Sequence, residues 1–276
     1  MPTRWTLTPT PPPPSVVSPS HLHALACHLL EAPTSDHAAQ TKPFTAALPT
    51  TAEAAAPGAG LVMAWLDEPT EPDLIPRLDA PAHLGSHTTR LTLTDRHAVP
   101  YTRLAATPPT PRARVEFTTP AYVNRAGRQL PLPEPELLLA GLARRWAAFS
   151  PQPLPPPAVT EMLETVHLAR HDIRTRPVGE GRHQRTGFVG SAVFGLPTRA
   201  SRAAQRAFAA LWSFAAFAGV GAQTTHGLGH VRVHLHEQPA RPGPERSRDA
   251  VREKPTNPIS TTPTEQPLHL TQNEDA

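Results

Sequence analysis

Five residues near the start of the chain could move protons and hold a negative charge: His21, His23, His28, His37 and Lys42. Histidine takes up and releases a proton near neutral pH. Cleavage of an RNA strand by its own 2′-OH needs such groups and no metal. One deprotonates the hydroxyl, one protonates the leaving 5′-oxygen, and a cation sits over the crowded phosphate. Positioned acid–base groups contribute roughly 10² to 10⁴-fold, and oriented cations or amides roughly 3–4 kcal/mol. The plainer alternative is that the helix histidines are solvent-exposed polar positions. A metal site is a third reading, because His-x-His occurs at 21–23 and at 234–236. On a helix that spacing turns the rings apart. On a strand His234 and His236 share a face, with Glu237 the only acidic neighbour. The expectation is no metal and no cofactor.

A second group of residues suits a polyanion. Residues 112–238 carry 15 basic residues, all arginine, against 8 acidic ones, whereas 1–111 carry 6 basic and 9 acidic. Arginine bonds phosphate through a planar fork and stacks on bases, so the second block is expected to bind nucleic acid. A GC-rich codon bias that fills the surface with arginine is the competing explanation. Arg174 and Arg176 alternate along a strand, and Arg182, His183 and Arg185 follow in the next turn. Tyr101 and Tyr122 are the only tyrosines. So few stacking platforms suit a hairpin read by backbone and shape better than a generic single-strand binder.

The third feature is Gly219-Val-Gly-Ala-Gln-Thr-Thr-His-Gly-Leu-Gly229. Ala204, Phe208, Leu211, Trp212, Ala215 and Ala218 precede it at helical steps. Val231, Val233 and Leu235 follow it in strand alternation. The order helix, loop, strand excludes a P-loop and a dinucleotide fingerprint. It predicts that Gly219, Gly221, Gly227 and Gly229 let a ribose-phosphate strand approach bare main-chain N–H groups. Gln223, Thr224, Thr225 and His226 would add side-chain donors. The alternative is a pair of tight turns.

The elements that must position these groups read as follows. Trp5 and Leu7 mark a strand, His21 to Ala32 a helix, Phe44 to Leu48 a strand, Leu61 to Leu66 a buried strand, Pro72 to Leu78 a weak helix and Thr89 to Leu93 a strand. That is βαββαβ, a ferredoxin-like unit. Pro100 to Pro111 reads as the linker. Arg114 to Phe117 then opens a strand, and Glu134 to Phe149 forms a helix. Pro151 to Pro157 reads as an extended loop and Glu161 to Val166 as a short helix. His167 to Arg176 and Gly187 to Leu196 form strands before the final helix, loop and strand. The expected fold is α+β, two tandem ferredoxin-like (RRM-like) βαββαβ domains. Residues 1–107 would hold the candidate catalytic histidine, and 112–238 the glycine-rich loop and RNA binding. The proline-rich tail 239–276 is expected to be disordered. Cys27 stands alone, so no internal disulfide forms. Without a long apolar span or a signal-peptide core, a soluble cytoplasmic protein that avoids membranes is expected.

The glycine pattern resembles the C-terminal loop of the RAMP superfamily, and most of all the CRISPR-associated (Cas) repeat-processing endoribonucleases. Those proteins share Gly-Val-Gly, five residues, Gly-x-Gly between a helix and the last strand. Thr186-Gly-Phe-Val-Gly190, Pro133-Glu-Pro-Glu-Leu137 with Arg144-Arg-Trp146, and Phe117-Thr-Thr-Pro120 extend the resemblance. Family members often carry Lys or Arg inside the loop, and Ala222 to His226 contains neither. The resemblance implies a catalytic histidine after the first helix and a lysine just before a Phe-Thr strand. His37 and Lys42-Pro-Phe-Thr45 fit that arrangement, with His37 as base or acid and Lys42 as stabiliser of the phosphorane. Some relatives use a tyrosine inside the first helix, where Cys27 or His28 falls here, so His23 and His28 are the candidates for the second proton-transfer group. The implied activity is metal-independent cleavage of precursor CRISPR RNA within repeats, leaving 2′,3′-cyclic phosphate and 5′-OH ends. The implied partners are repeat RNA and mature crRNA, with other Cas proteins or a second copy as further candidates. Two alternatives remain: a non-catalytic RAMP subunit that binds crRNA in an effector complex, and a general RNA-binding module.

Overall fold

The first strand buries every second residue because its neighbours on the other face are polar: Thr3, Trp5, Leu7 and Pro9 point inward from β1 (Thr3–Thr10). This and all later geometry comes from a computed structural model, which describes residues 1–14, 17–32, 39, 41–49, 60–179 and 184–236. Helix α1 (Pro19–Leu30) starts with Pro19, whose missing N–H is no loss in a first turn. Its buried face is Leu22, Leu25, Ala26, Leu29 and Leu30. Strands β2 (Phe44–Ala47), β3 (Leu61–Trp65), β4 (Ala82–Leu84) and β5 (His87–Ala98) complete an antiparallel sheet in the order β2-β3-β1-β5-β4. Leaving out the short β4, this is the ferredoxin-like order.

The helix expected over Pro72 to Leu78 is replaced by two 3-10 turns, Glu68–Thr70 and Ile75–Leu78. Pro69, Pro72 and Pro76 remove the amides that an α-helix would need there. Short β4 pairs with β5 and was not anticipated. The expected linker also holds structure. Helix α2 (Tyr101–Ala105) follows β5 directly and buries Tyr101 and Leu104.

The second sheet runs β11-β6-β10-β9. Its members are β6 (Arg112–Ala121), β9 (His167–Val178), β10 (Arg185–Gly195) and β11 (Val231–His236). A small hairpin, β7 (Val123–Arg125) and β8 (Arg128–Leu130), turns at Ala126-Gly127, both at positive φ. Helices α3 (Pro135–Phe149), α4 (Pro156–Thr165) and α5 (Arg202–Ala218) cover one face. Pro156 and Pro157 open α4 rather than prolonging an extended loop. Ser201 caps α5, accepting from the Ala204 amide at 3.0 Å. Gly219 ends it at φ 63°. The chain is thus α+β with two ferredoxin-like sheets in tandem, as expected. Residues 239–276 lie outside the described residues.

One core gathers the second sheet with its helices and takes in Ala64, Leu66, Tyr101 and Leu104 from before Arg112. A smaller core lies between α1 and the first sheet. The first sheet is also bonded to the helices that cover the second, Thr45 Oγ1 on β2 donating to the Phe217 carbonyl on α5 at 2.9 Å.

Candidate functional site

His23 and Cys27 are one helical turn apart and share a face of α1. His23 Nδ1 lies 3.2 Å from the Thr225 carbonyl. A carbonyl only accepts, so Nδ1 carries the proton and Nε2 offers a lone pair. Cys27 Sγ is 3.5 Å from that Nε2. Burial, and after it Glu31, to which the thiol also hydrogen-bonds, pushes the thiol up to about 11, so it stays protonated. The His23 ring lies flat on His226, with centroids 3.9 Å apart and planes 6° apart, and stacks more loosely on Phe44. His23, expected as a proton-transfer group, thus has Nδ1 joining α1 to the glycine loop and Nε2 facing Cys27 within α1.

The loop departs from its expected form in one respect. Six of its amides already donate to carbonyls: Gly219 to Ala215, Val220 to Gly229, Ala222 to Tyr122, His226 and Leu228 to Gln223, and Gly229 to Pro120. The glycines are needed for close packing of main chain. A Cβ on Gly221 would stand 2.4 Å from the Tyr122 carbonyl oxygen, and one on Gly227 would stand 2.6 Å from Leu22 Cδ2. The first contact ties the loop to the segment after β6, the second to α1. Gly219 and Gly229 are buried, and Thr224 is buried with its hydroxyl accepting from Arg145 at 2.8 Å. The residues that face outward are Gly221 and Gln223, with Thr225, His226 and Gly227 half-buried. Gln223 itself adopts a left-handed backbone, φ 56°. Thr225 Oγ1 and His226 Nδ1 are 2.9 Å apart. Burial, and then His23, lowers the His226 pKa to about 4, so the ring is neutral at pH 7.

Lys42 sits just before β2 with its ammonium 2.7 Å from the Glu31 carboxylate, and both side chains are largely buried. Arg77 holds the main chain of the same corner, donating to the Leu29 and Glu31 carbonyls at 2.9 Å each. His28 is exposed in the last turn of α1. His37 and Arg182 lie outside the described residues.

Cross-strand register brings the remaining arginines together. Arg174 pairs with Val189, Arg176 with Gly187 and Arg185 with Val178. Directly paired residues share a face, so Arg174, Arg176 and Arg185 line one face of the β9–β10 ribbon. Arg185 also lines a cleft of about 730 Å³ with His21, His87, Gln223 and His226. That cleft is where α1, the β4–β5 turn, the arginine ribbon and the glycine loop meet. Among the described residues no cluster of His, Cys, Asp and Glu could hold a metal.

Sequence reasoning met Arg145 only as part of Arg144-Arg-Trp146 in the resemblance, with no role of its own, and did not point to Glu31. Arg145 falls on the α3 stripe of Leu138, Leu142 and Trp146, where a charged residue is out of place. That misfit was the available signal. Glu31 gave none, because its partner lies across the segment between α1 and β2.

Residues 115–231 match the family model of the CRISPR-associated endoribonuclease Cas6. Over that stretch the chain is similar to Cas6. It is 34% identical over 132 residues to the CRISPR-associated endoribonuclease Cas6 of Mycobacterium tuberculosis, in strains CDC 1551 and H37Rv. That match covers 46% of this chain and 40% of the length of those relatives. Among solved structures, a Cas6 product complex is 26% identical, with a TM-score of 0.67 over 84% of this chain and 99% of that one. A Cas6 substrate mimic complex is 25% identical, with a TM-score of 0.65 over 84% and 98%. Thermus thermophilus Cas6 is 26% identical, with a TM-score of 0.61 over 84% and 97%. The stretch matched by the Cas6 family model contains Arg145, the β9–β10 arginines and the glycine loop, while His23, Glu31 and Lys42 lie before it.

Proposed function

We propose that this chain is an endoribonuclease that cuts precursor CRISPR RNA within its repeats. The attack is by a 2′-OH on the adjacent phosphate, without metal, leaving 2′,3′-cyclic phosphate and 5′-OH ends. The observation that carries the reading is the cleft shared by α1, the arginine ribbon and the glycine loop, in a chain similar to Cas6 over residues 115–231. Arg174, Arg176 and Arg185 would neutralise the phosphates of a repeat hairpin, together with Arg182. Gly221, Gln223, Thr225, His226 and Gly227 would meet the strand that crosses the loop. Gly219, Gly229 and Thr224 would support that surface from beneath. His37 would act as general base or acid. Lys42 would stabilise the phosphorane, sharing its charge between Glu31 and phosphate. His28, exposed near the end of α1, is the favoured helix candidate for the second proton transfer, since His23 Nδ1 is bonded to the Thr225 carbonyl and its Nε2 faces Cys27.

The test is purified protein with end-labelled repeat RNA in excess EDTA. Cleavage with cyclic-phosphate ends, lost in His37→Ala with RNA binding kept, is the expected outcome. Cleavage that needs added metal would refute the mechanism. A second reading, a non-catalytic subunit that binds crRNA, draws on the engaged state of His23 and Lys42. It predicts tight binding of repeat RNA, no cleavage under any condition and no effect of His37→Ala.

A further inference from the structure

The guanidinium of Arg145, on α3, bonds to two stretches distant from it in sequence, 218–224 and 42–44. Nη1 donates to the Ala218 carbonyl, at the end of α5, and to Thr224 Oγ1 in the glycine loop at 2.8 Å. Nη2 donates to the carbonyls of Lys42 and Phe44, at 3.3 Å each. Among the described residues its hydrogen-bond partners are three main-chain oxygens and one hydroxyl, none of them a carboxylate. Burial lowers its pKa to about 10, with Tyr101 opposing the shift.

A cation in such a place is costly to bury, and an apolar residue of similar volume is often as stabilising or more so. The neighbouring positions of the stripe, Leu138 and Leu142, take the apolar solution. What arginine adds is geometry. Its planar fork carries five donors in fixed directions, so it can hold several acceptors in one arrangement. The acceptors here are the last turn of α5, where the helix dipole favours a cation, the glycine loop, and the main chain on both sides of Pro43. The second of these carries His226 and Gln223; the third carries Lys42.

We infer that Arg145 is a positioning residue that locks the glycine loop to the Lys42–Phe44 segment, so that the phosphate-facing loop and the lysine corner keep one spacing. This rests on the function proposed above. Thr45, bonded to Phe217, is a second latch at the same joint, and the stack of Phe44, His23 and His226 is the surface that both latches hold closed. A shift of about 1 Å at a reacting centre costs on the order of 100-fold in rate. Loss of the fork should therefore appear in the chemical step while the arginine ribbon still binds RNA.

The experiment compares wild type, Arg145→Met and Arg145→Lys by single-turnover cleavage, RNA affinity and amide hydrogen exchange. The expected result is a cleavage rate lower by on the order of 100-fold in Arg145→Met, partial recovery in Arg145→Lys, and a much smaller change in RNA affinity, which the arginine ribbon sustains. Exchange should rise together in residues 219–229 and 42–47 and stay low in β9 and β10. An unchanged cleavage rate in a folded Arg145→Met protein overturns the inference. So does a rise in exchange across the whole second sheet, or loss of the fold in both variants, because Arg145 would then be a general stabiliser. If wild type does not cut repeat RNA, the proposed function fails, and the exchange pattern still decides whether Arg145 couples the two segments.

Discussion

His230 offers a direct test of how the β6–β11 edge of the second sheet depends on protonation. Its Nδ1 lies 2.7 Å from Thr118 Oγ1, and its Nε2 has no partner among the described residues. Burial first, then Arg4 and Arg232, lowers its pKa to about 4. An unfolded histidine titrates near 6.5. Between those values the unfolded chain binds a proton that the folded chain does not, so stability falls as pH drops from 6.5 toward 4 and then levels off. For pKa values of about 4 and 6.5, linkage gives a loss at pH 5 of about 2 kcal/mol from this one ring. The perturbation is His230→Gln, which keeps a neutral polar group beside Thr118 and removes the titration. Urea unfolding at pH 7.5 and pH 5.0 would be measured for both proteins. Other titrating groups, His226 included, contribute to both and cancel in the difference. Wild type should lose about 2 kcal/mol more than His230→Gln between the two pH values. Equal losses would refute the reasoning.

Three further outcomes follow from the geometry. Glu31→Ala removes the carboxylate 2.7 Å from the buried Lys42 ammonium and should cost about 3–5 kcal/mol in denaturant unfolding; a loss under 1 kcal/mol would mean that the corner relaxes to let water in. Gly221→Ala forces a left-handed backbone on alanine and drives its Cβ against the Tyr122 carbonyl, so stability should fall by about 1–3 kcal/mol, read by thermal melting. Arg176→Ala and Arg185→Ala should each weaken RNA binding and lower the slope of log affinity against log salt by about 1; an unchanged slope would remove that arginine from the phosphate contacts.

Local pattern carried the elements well wherever one side of the element was buried. The helical steps from Ala204 to Ala218 and the alternation of Trp5 with Leu7 are consequences of one-sided burial, and both elements stand where those patterns put them. Pattern was misleading where proline decided the backbone, as between Glu68 and Leu78, where the apolar spacing of a helix was present without the amides. The β7–β8 hairpin is too short for periodicity to register. The role of the glycine loop was legible only in part. Its glycines were visible, but Tyr122, Leu22 and Val220, which crowd them, come from elsewhere in the chain or from across the loop. His23 shows the same limit: the chemistry of imidazole is written in the sequence, while its contact with Thr225 depends on α1 packing against the glycine loop. Arg145 could have been read as a misfit on an apolar stripe, yet no spacing rule would have found Lys42, Phe44, Ala218 and Thr224 around it.

The connector between the sheets has a consequence for dissecting this chain. Tyr101 donates to the Leu66 carbonyl at 2.8 Å and sets its ring edge-on to Trp146, with centroids 5.2 Å apart. The hinge that tandem modules usually keep supple is here cemented into the larger core. A scissile site engineered between α2 and β6 would yield two fragments, each presenting a greasy wound, and neither should stay in solution alone. Mixed during refolding they should reassociate as a split protein, and a repeat hairpin would meet one stiff mould whose shape it must follow.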